Sequence, residues 1–343
     1  MMSTALMLLA ALRAPASPAD RYSAETVTLD GVEVVRLADA VRRVRVSIVP
    51  SIGNLAYEMR VGESNILWFP HAGLREFRRR PSLCGVPFLA PWANRLEHDG
   101  FEVNGRSYRL QEQLGNLTRD PNGKPLHGLL AFSPHWRVKE AAADAGQAWL
   151  VSRLEFWRHP RLMAQFPFAH SIQMTYRLRD GALEVRTALE NHAAEPLPVA
   201  IGFHPYLRLP GAPRAAWRAE LPVRERLALG ADFIPTGERQ TLEPAGLRLF
   251  PGLPRGELFS KLAPDPDDRA VFRLEAGDER VAVTFGPRYR VALVYAPPGA
   301  EFVCFEPMSA PTNALNRAVE EMESVAPGGR WEESFWIVAS GVR

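Results

Sequence analysis

Three residues have neighbours suited to proton transfer. His204 lies in Gly202-Phe203-His204-Pro205-Tyr206, directly after the apolar run from Leu197 to Ile201. The following proline biases it toward extended backbone. Its aromatic neighbours can make a partly dry pocket in which an imidazole titrates near neutral pH. The competing reading is a core histidine at a strand end. Glu306 closes the run Phe302-Val303-Cys304-Phe305 and precedes Pro307. A carboxylate there either reaches water from a strand end or is buried with a partner, because burying it alone is costly. His127, in Pro125-Leu126-His127-Gly128-Leu129, stands beside a glycine that allows close approach of backbone or ligand. It also reads as an ordinary turn histidine.

Asn94-Arg95 follows Pro87-Phe88-Leu89-Ala90-Pro91-Trp92-Ala93. An amide offers a donor and an acceptor together, and a guanidinium offers a rigid fork of donors; a ligand rich in hydroxyls suits both. A turn asparagine beside a surface arginine is the alternative. Trp92 offers an apolar face to a ring or a large side chain to the core. Arg75, Arg78, Arg79 and Arg80 could converge on a phosphate or, with Glu76 offsetting them, form a solvated face.

Other chemistries are excluded by what the chain lacks. No Gly-x-Ser-x-Gly elbow, Gly-x-x-x-x-Gly-Lys loop or His-Glu-x-x-His pair occurs, so neither a cofactor nor a metal is expected. Cys84 and Cys304 are the only cysteines, which gives no metal spacing and no disulfide framework. Across 343 residues, 41 basic side chains balance 39 acidic ones, too evenly for nucleic acid or an anionic membrane to be the main partner. A small molecule is the expected partner.

The elements that must position these residues are short strands. Val32–Leu37, Val44–Val49, Trp149–Leu154, Ile172–Leu178, Leu183–Leu189, Val281–Phe285 and Val291–Tyr295 are strand-like, and several alternate apolar with polar residues. Arg179-Asp180-Gly181 reads as a hairpin turn. Gly53-Asn54, Asn104-Gly105 and Ala276-Gly277-Asp278 mark further turns. Thr312 to Glu323 is at most a short helix, and thirty prolines argue against long ones. The expectation is an all-β chain, a large antiparallel β-sandwich forming one domain. The Pro-rich stretch Pro251 to Pro266 reads as a surface excursion. Residues 1–25 read either as a secretory signal or as a disordered start. Met7 to Leu12 are apolar and Ala14 to Ala19 resemble a cleavage site, but no basic residue precedes the run. The chain is expected in the cytoplasm, or in the periplasm or outside the cell if residues 1–19 are a signal.

Four segments occur in a telling order: Pro91-Trp92-Ala93-Asn94-Arg95, Leu126-His127-Gly128, Gly202-Phe203-His204-Pro205-Tyr206, and Glu306-Pro307-Met308-Ser309-Ala310-Pro311-Thr312-Asn313-Ala314. With Gly85-Val86-Pro87-Phe88-Leu89 before them, they resemble the aldose 1-epimerase family from about Ile52 to Trp336. The resemblance implies a galactose mutarotase-like β-sandwich over residues 26–343. It also implies cofactor-free exchange of the α and β anomers of a free aldose, by a monomer or homodimer. By motif position His204 matches the general acid and Glu306 the general base. His127 matches a second site histidine, and Asn94 with Arg95 the hydroxyl-binding pair; Trp92 is taken as a further sugar contact. One departure stands out. The family commonly carries an aspartate in the segment before the last strands. The counterpart here is Leu258-Phe259-Ser260, with Asp265, Asp267 and Asp268 only later. A hexose-6-phosphate epimerase and a carbohydrate-binding sandwich without catalysis are the alternatives.

Overall fold

The computed structural model describes residues 21–243, 247–249, 256–317 and 321–342. Residues 1–20, which carry most of the signal-or-disorder question, lie outside the described residues.

Among the described residues every strand ladder is antiparallel. A meander runs through Tyr22–Leu29, Val32–Asp39, Val44–Val49, Leu55–Val61 and Ser64–Asn65. A nine-stranded sheet has at its centre Glu279–Phe285, Arg330–Ser340, Ala182–Asn191 and His170–Arg179, in that spatial order. A second large sheet runs Pro235–Thr241, Val223–Leu229, Glu257–Leu262, Val291–Tyr295, Val303–Met308, Gly202–Phe203 and Phe88–Leu89. Tyr206–Leu207 also pairs with Val303–Met308. The turn chemistry holds. Arg179 pairs with Ala182 across Asp180 and Gly181, both at positive φ, and Val103 pairs with Arg106 across Asn104-Gly105. Such two-residue turns match the twist of the strands they join.

The period of two decides which side chains fill the core. In the second large sheet Phe88, Phe203, Phe259, Ala292, Val294, Val303 and Phe305 enter the main hydrophobic cluster. There they meet nine-stranded-sheet residues such as Phe272, Phe285 and Phe335. Their alternates, Leu89, Leu227, Leu258, Leu293 and Met308, form a separate apolar cluster on the opposite face. His204 and Glu306 alternate with Phe203 and Phe305, so they stand on that opposite face.

One expectation is corrected here. Within the Pro251 to Pro266 stretch, Glu257–Leu262 is an interior strand with Leu258, Phe259 and Ser260 buried. The prolines flank the strand without entering it, so its ladders to Val223–Leu229 and Val291–Tyr295 keep their N–H donors. Pro251–Arg255 lie outside the described residues.

Candidate active site

Short segments bring His204 in. Gly202 pairs with Leu89 and Met308, and Phe203 pairs with Phe88. The His204 amide donates to the Pro87 carbonyl at 3.1 Å, and the Tyr206 amide to the Gly85 carbonyl at 2.8 Å. Glu306 arrives on the neighbouring strand, opposite Leu293. Beyond it, Ser309 ties the chain back through its amide (2.9 Å) and hydroxyl (3.1 Å) to the Ile201 carbonyl. Asn313, at φ 66°, donates its amide to the Arg95 carbonyl at 3.1 Å and accepts from the Glu97 amide at 3.0 Å. The conspicuous motif around Glu306 is thus largely a set of ties that fix the strand end.

His204 Nε2 lies 3.1 Å from Glu306 Oε1, and both side chains are almost fully buried. Neither Glu306 oxygen has a hydrogen-bond partner among the described residues, nor has Nδ1 of His204 or of His127. Buried polar atoms are normally satisfied, so these unpaired ones mark a place where a polar ligand can bind. The Tyr206 ring stacks on His204 with centroids 4.4 Å apart and 6° between planes, and the His127 ring meets His204 edge-on at 5.4 Å. Tyr295 stands edge-on at 5.9 Å.

Burial governs the electrostatics. It holds His204 down at about 3, with the Arg95 charge working the same way, and pushes Glu306 well above its ordinary 4.5 although Arg95 opposes the rise. His127 is likewise held well below 6.5, by burial and then by the neighbouring His204 and Arg95 charges. A closely packed aromatic and aliphatic surround penalises charge on every one of these groups.

Arg95 is held from three sides. Its Nε donates to Asp120 Oδ2 at 2.6 Å, its Nη1 to Asn94 Oδ1 at 2.9 Å, and its guanidinium lies 4.7 Å over the Phe233 ring. Asp120 is itself fixed by the amides of Asn122 and Lys124, each at 2.9 Å. Asn94, at φ 58°, hands its carbonyl to the His127 amide at 2.7 Å. Gly128 cannot be replaced easily, since a Cβ there would sit 2.2 Å from the Ala90 carbonyl oxygen at φ +66°.

Asn94, Arg95, His127, His204 and Glu306 therefore meet in one place. Trp92 does not join them. It is 1% exposed within the main core cluster, whereas Ala93, its alternate, belongs to the apolar cluster on the other face. The expected sugar contact is a core side chain, because strand-like alternation gives one face to Trp92 and the other to Ala93. Arg75, Arg78, Arg79 and Arg80 are exposed on and just after the short helix Leu74–Arg79, which buries Leu74 and Phe77. Tyr206, expected as an aromatic neighbour of His204, does stack on it, whereas Asp120, Phe233 and Tyr295 were not singled out from the sequence. Only Asp120 carried a signal, as the anchor of the turn Asp120-Pro121-Asn122-Gly123.

Leu258 belongs to the segment Leu258-Phe259-Ser260, the counterpart that the sequence offers for the family's aspartate, and it faces the same way as the Glu306 row. The ladder registers align Leu227, Leu258, Leu293 and Glu306 in one row across four strands. Two other acids of this sheet have cationic partners: Glu225 takes the Ser260 hydroxyl (2.8 Å), Lys261 (2.6 Å) and Arg239 (3.1 Å), and Glu257, beside Leu258, lies 3.2 Å from Arg226.

Solved structures share this architecture. A galactose mutarotase-like protein from Clostridium acetobutylicum superposes with a TM-score of 0.80 at 19% identity, covering 92% of this chain and 98% of that one. Galactose 1-epimerase from Lactobacillus acidophilus NCFM gives a TM-score of 0.72 at 12% identity, covering 94% and 100%. The fold is thus of the galactose mutarotase type. The sequence model of the aldose 1-epimerase family matches residues 55–337, and the chain belongs to that family. The protein YihR of Escherichia coli K12 is 26% identical over 149 residues, a match that covers 43% of this chain and 44% of YihR.

Proposed function

We propose that this protein interconverts the α and β anomers of a free aldohexose. The observation that carries the reading is the buried contact of His204 Nε2 with Glu306 Oε1 at 3.1 Å, ringed by Arg95, Asn94 and His127. Mutarotation breaks the C1–O5 bond of a cyclic hemiacetal, turns the aldehyde and closes the ring on its other face. Opening takes the proton from the C1 hydroxyl and delivers one to O5. Glu306 is assigned the first task and His204 the second, and closure reverses both.

The proton count supports this pair. Burial favours the neutral forms, so the empty site keeps one proton, on Glu306, with His204 neutral. Its transfer across the contact gives an imidazolium and a carboxylate with the same total. Ring opening moves one proton onto the carboxylate and one off the imidazolium, again without changing the count, so no exchange with solvent is needed within a turnover. A positioned acid or base contributes on the order of 10²–10⁴-fold each. Asn94, Arg95 and His127 are assigned to the sugar hydroxyls. Leu258, in the segment that is the counterpart of the family's aspartate, favours a second reading, a sandwich that binds sugar without catalysis.

Polarimetry of freshly dissolved α-glucose and α-galactose separates the two. Faster decay of rotation with protein than without supports catalysis. Saturable sugar binding with an unchanged decay would select the binding-only reading.

A further inference from the structure

The hairpin joining Val223–Leu229 to Pro235–Thr241 reaches out of its sheet to Arg95. Its turn is closed by the Phe233 amide, which donates to the Gly230 carbonyl at 2.9 Å, and by the Gly230 amide, which donates to the Ile234 carbonyl at 2.9 Å. Within this turn Phe233 takes φ 62°. Most of the described non-glycine residues in that left-handed region are Asn or Asp, whose short polar side chains tolerate it. A bulky aromatic residue is an outlier there. Such strain persists only where the surroundings hold it, and it gathers at functional sites. Asn94, at 58°, and His127, at 61°, already belong to this one.

The turn is fastened to the same segment that fastens Arg95. Asp232 Oδ2 lies 3.3 Å from Lys124 Nζ, which also donates to the Glu97 carbonyl at 2.8 Å. The Lys124 amide in turn fixes Asp120, the carboxylate that takes Arg95 Nε. One short stretch of chain therefore sets both the acid beside Arg95 and the turn that carries Phe233. The guanidinium is left with a single uncommitted corner. Nε goes to Asp120 and Nη1 to Asn94, and Cζ rests 4.7 Å over the centre of the Phe233 ring. Nη2 has no hydrogen-bond partner among the described residues. The ring attracts the cation and keeps water from that side. A planar fork of donors meets a partner only in its own plane, so its orientation decides where Nη2 points.

We infer that Phe233 is a positioning residue: its ring, held on a left-handed turn, fixes the orientation of the Arg95 guanidinium and leaves Nη2 to a ligand hydroxyl. The ring is assigned no contact with the reacting atoms and acts only through Arg95. The inference rests on the proposed function for Arg95's task of holding a sugar hydroxyl. Without the ring, Asp120 and Asn94 still keep the Arg95 charge at the site. Sugar binding should therefore weaken while the proton transfers of Glu306 and His204 continue.

Phe233→Leu and Phe233→Tyr in the whole protein test it, with glucose and galactose as probes. Mutarotation is followed by polarimetry, binding by calorimetry, and the exposure of Arg95 by phenylglyoxal labelling mapped with mass spectrometry. Phe233→Leu keeps apolar bulk without an aromatic face. It should raise KM and Kd about three- to tenfold and leave kcat within about twofold. Labelling of Arg95 should become about threefold faster or more as the guanidinium loses its cover. Phe233→Tyr restores the face and should match the wild type within about twofold in every measurement. Should Phe233→Leu fail to fold, Phe233→Gly, which suits the left-handed backbone, takes its place with the same expectations. Unchanged labelling of Arg95 overturns the inference, and so does a fall in kcat with KM unchanged. Normal turnover with KM and Kd unmoved in Phe233→Leu sinks the positioning role alone. If sugar binds but its anomers exchange no faster than in water, the proposed function fails, and Kd with labelling still decides the role of Phe233. If the wild type binds neither sugar, the proposed function fails and the labelling decides by itself.

Discussion

Replacing Glu306 with glutamine should abolish catalysis and at the same time stabilise the fold, by an amount that grows with pH. The unfolded carboxyl ionises near its ordinary 4.5, whereas burial holds the folded one well above that value. A raised folded pKa means that the carboxyl's contribution to stability is complete below 4.5 and is lost as pH climbs toward the folded pKa. The loss is about 1.4 kcal/mol for each pH unit in that window. Glutamine has nearly the same shape and does not ionise, so it escapes the loss. The two proteins should melt together near pH 4. Above it the Glu306→Gln melting temperature should pull ahead by roughly 2 °C per pH unit, scaled from the shift typical of large chains. The same variant should lose about 10²–10⁴-fold in mutarotation rate, because the amide cannot take the C1 hydroxyl proton. Thermal denaturation across pH 4 to 7.5, with polarimetry at pH 7, measures both. An ion pair between His204 and Glu306 in the folded state reverses the sign: glutamine would then destabilise most at neutral pH. That result, or a rate within tenfold of wild type, would refute the reasoning.

The shared proton also shapes the rate profile. With His204 held at about 3 and Glu306 raised, kcat/KM corrected for the spontaneous reaction should be level from pH 4 up to the raised pKa of Glu306. It should fall as the pair gains a second proton near pH 3 and again, on the alkaline side, as Glu306 loses the shared one; an acid limb centred at 6.5 would mean an imidazole titrating as if exposed. Asp120→Asn should cost up to about 3 kcal/mol, the low end for one broken partner of a buried pair, since Arg95 keeps some exposure. It should also raise KM by loosening Arg95; an unchanged melting curve and KM would show that Asp120 does not position it. Arg78→Gln/Arg79→Gln should leave rate and preference untouched, with glucose favoured over glucose 6-phosphate. A salt-sensitive preference for the phosphate that disappears in that variant would place a phosphate at the exposed arginines.

The elements that sequence made legible are those whose local pattern and tertiary role agree. Val44–Val49 and Val291–Tyr295 have the bounds that alternation predicts, and the Asp180-Gly181 hairpin follows from turn chemistry alone. Strands of two residues, such as Gly202–Phe203 and Phe88–Leu89, are too short to show any period, yet they hold His204. Glu257–Leu262 was hidden by the prolines on either side of it. The site was legible through ordered motifs, and physics alone would not have ranked them. Asp120 shows why: its partner Arg95 is 25 residues away, and only the folded chain brings them to 2.6 Å. Trp92 went the other way, its proximity in sequence to Asn94 suggesting a ligand contact that strand alternation denies.

The acid–base chemistry and the packing of the sandwich follow from one pattern. Alternation that sends Phe203 and Phe305 into the inter-sheet core must send His204 and Glu306 to the opposite face. The row that ends at Glu306 is otherwise apolar, made of Leu227, Leu258 and Leu293. An exposed sheet face would have left the carboxyl near 4.5 and the imidazole near 6.5, each titrating alone. The leucines and stacked rings remove water, and the cost of charge in that setting lowers the imidazole and raises the carboxyl. An aspartate in place of Leu258 would add a negative charge to the row that ends at Glu306, raising the energy of the carboxylate that the proposed mechanism requires. In this protein the stationary charge near the pair is that of Arg95, which favours the carboxylate, and Asp120, Asn94 and Phe233 hold it in place.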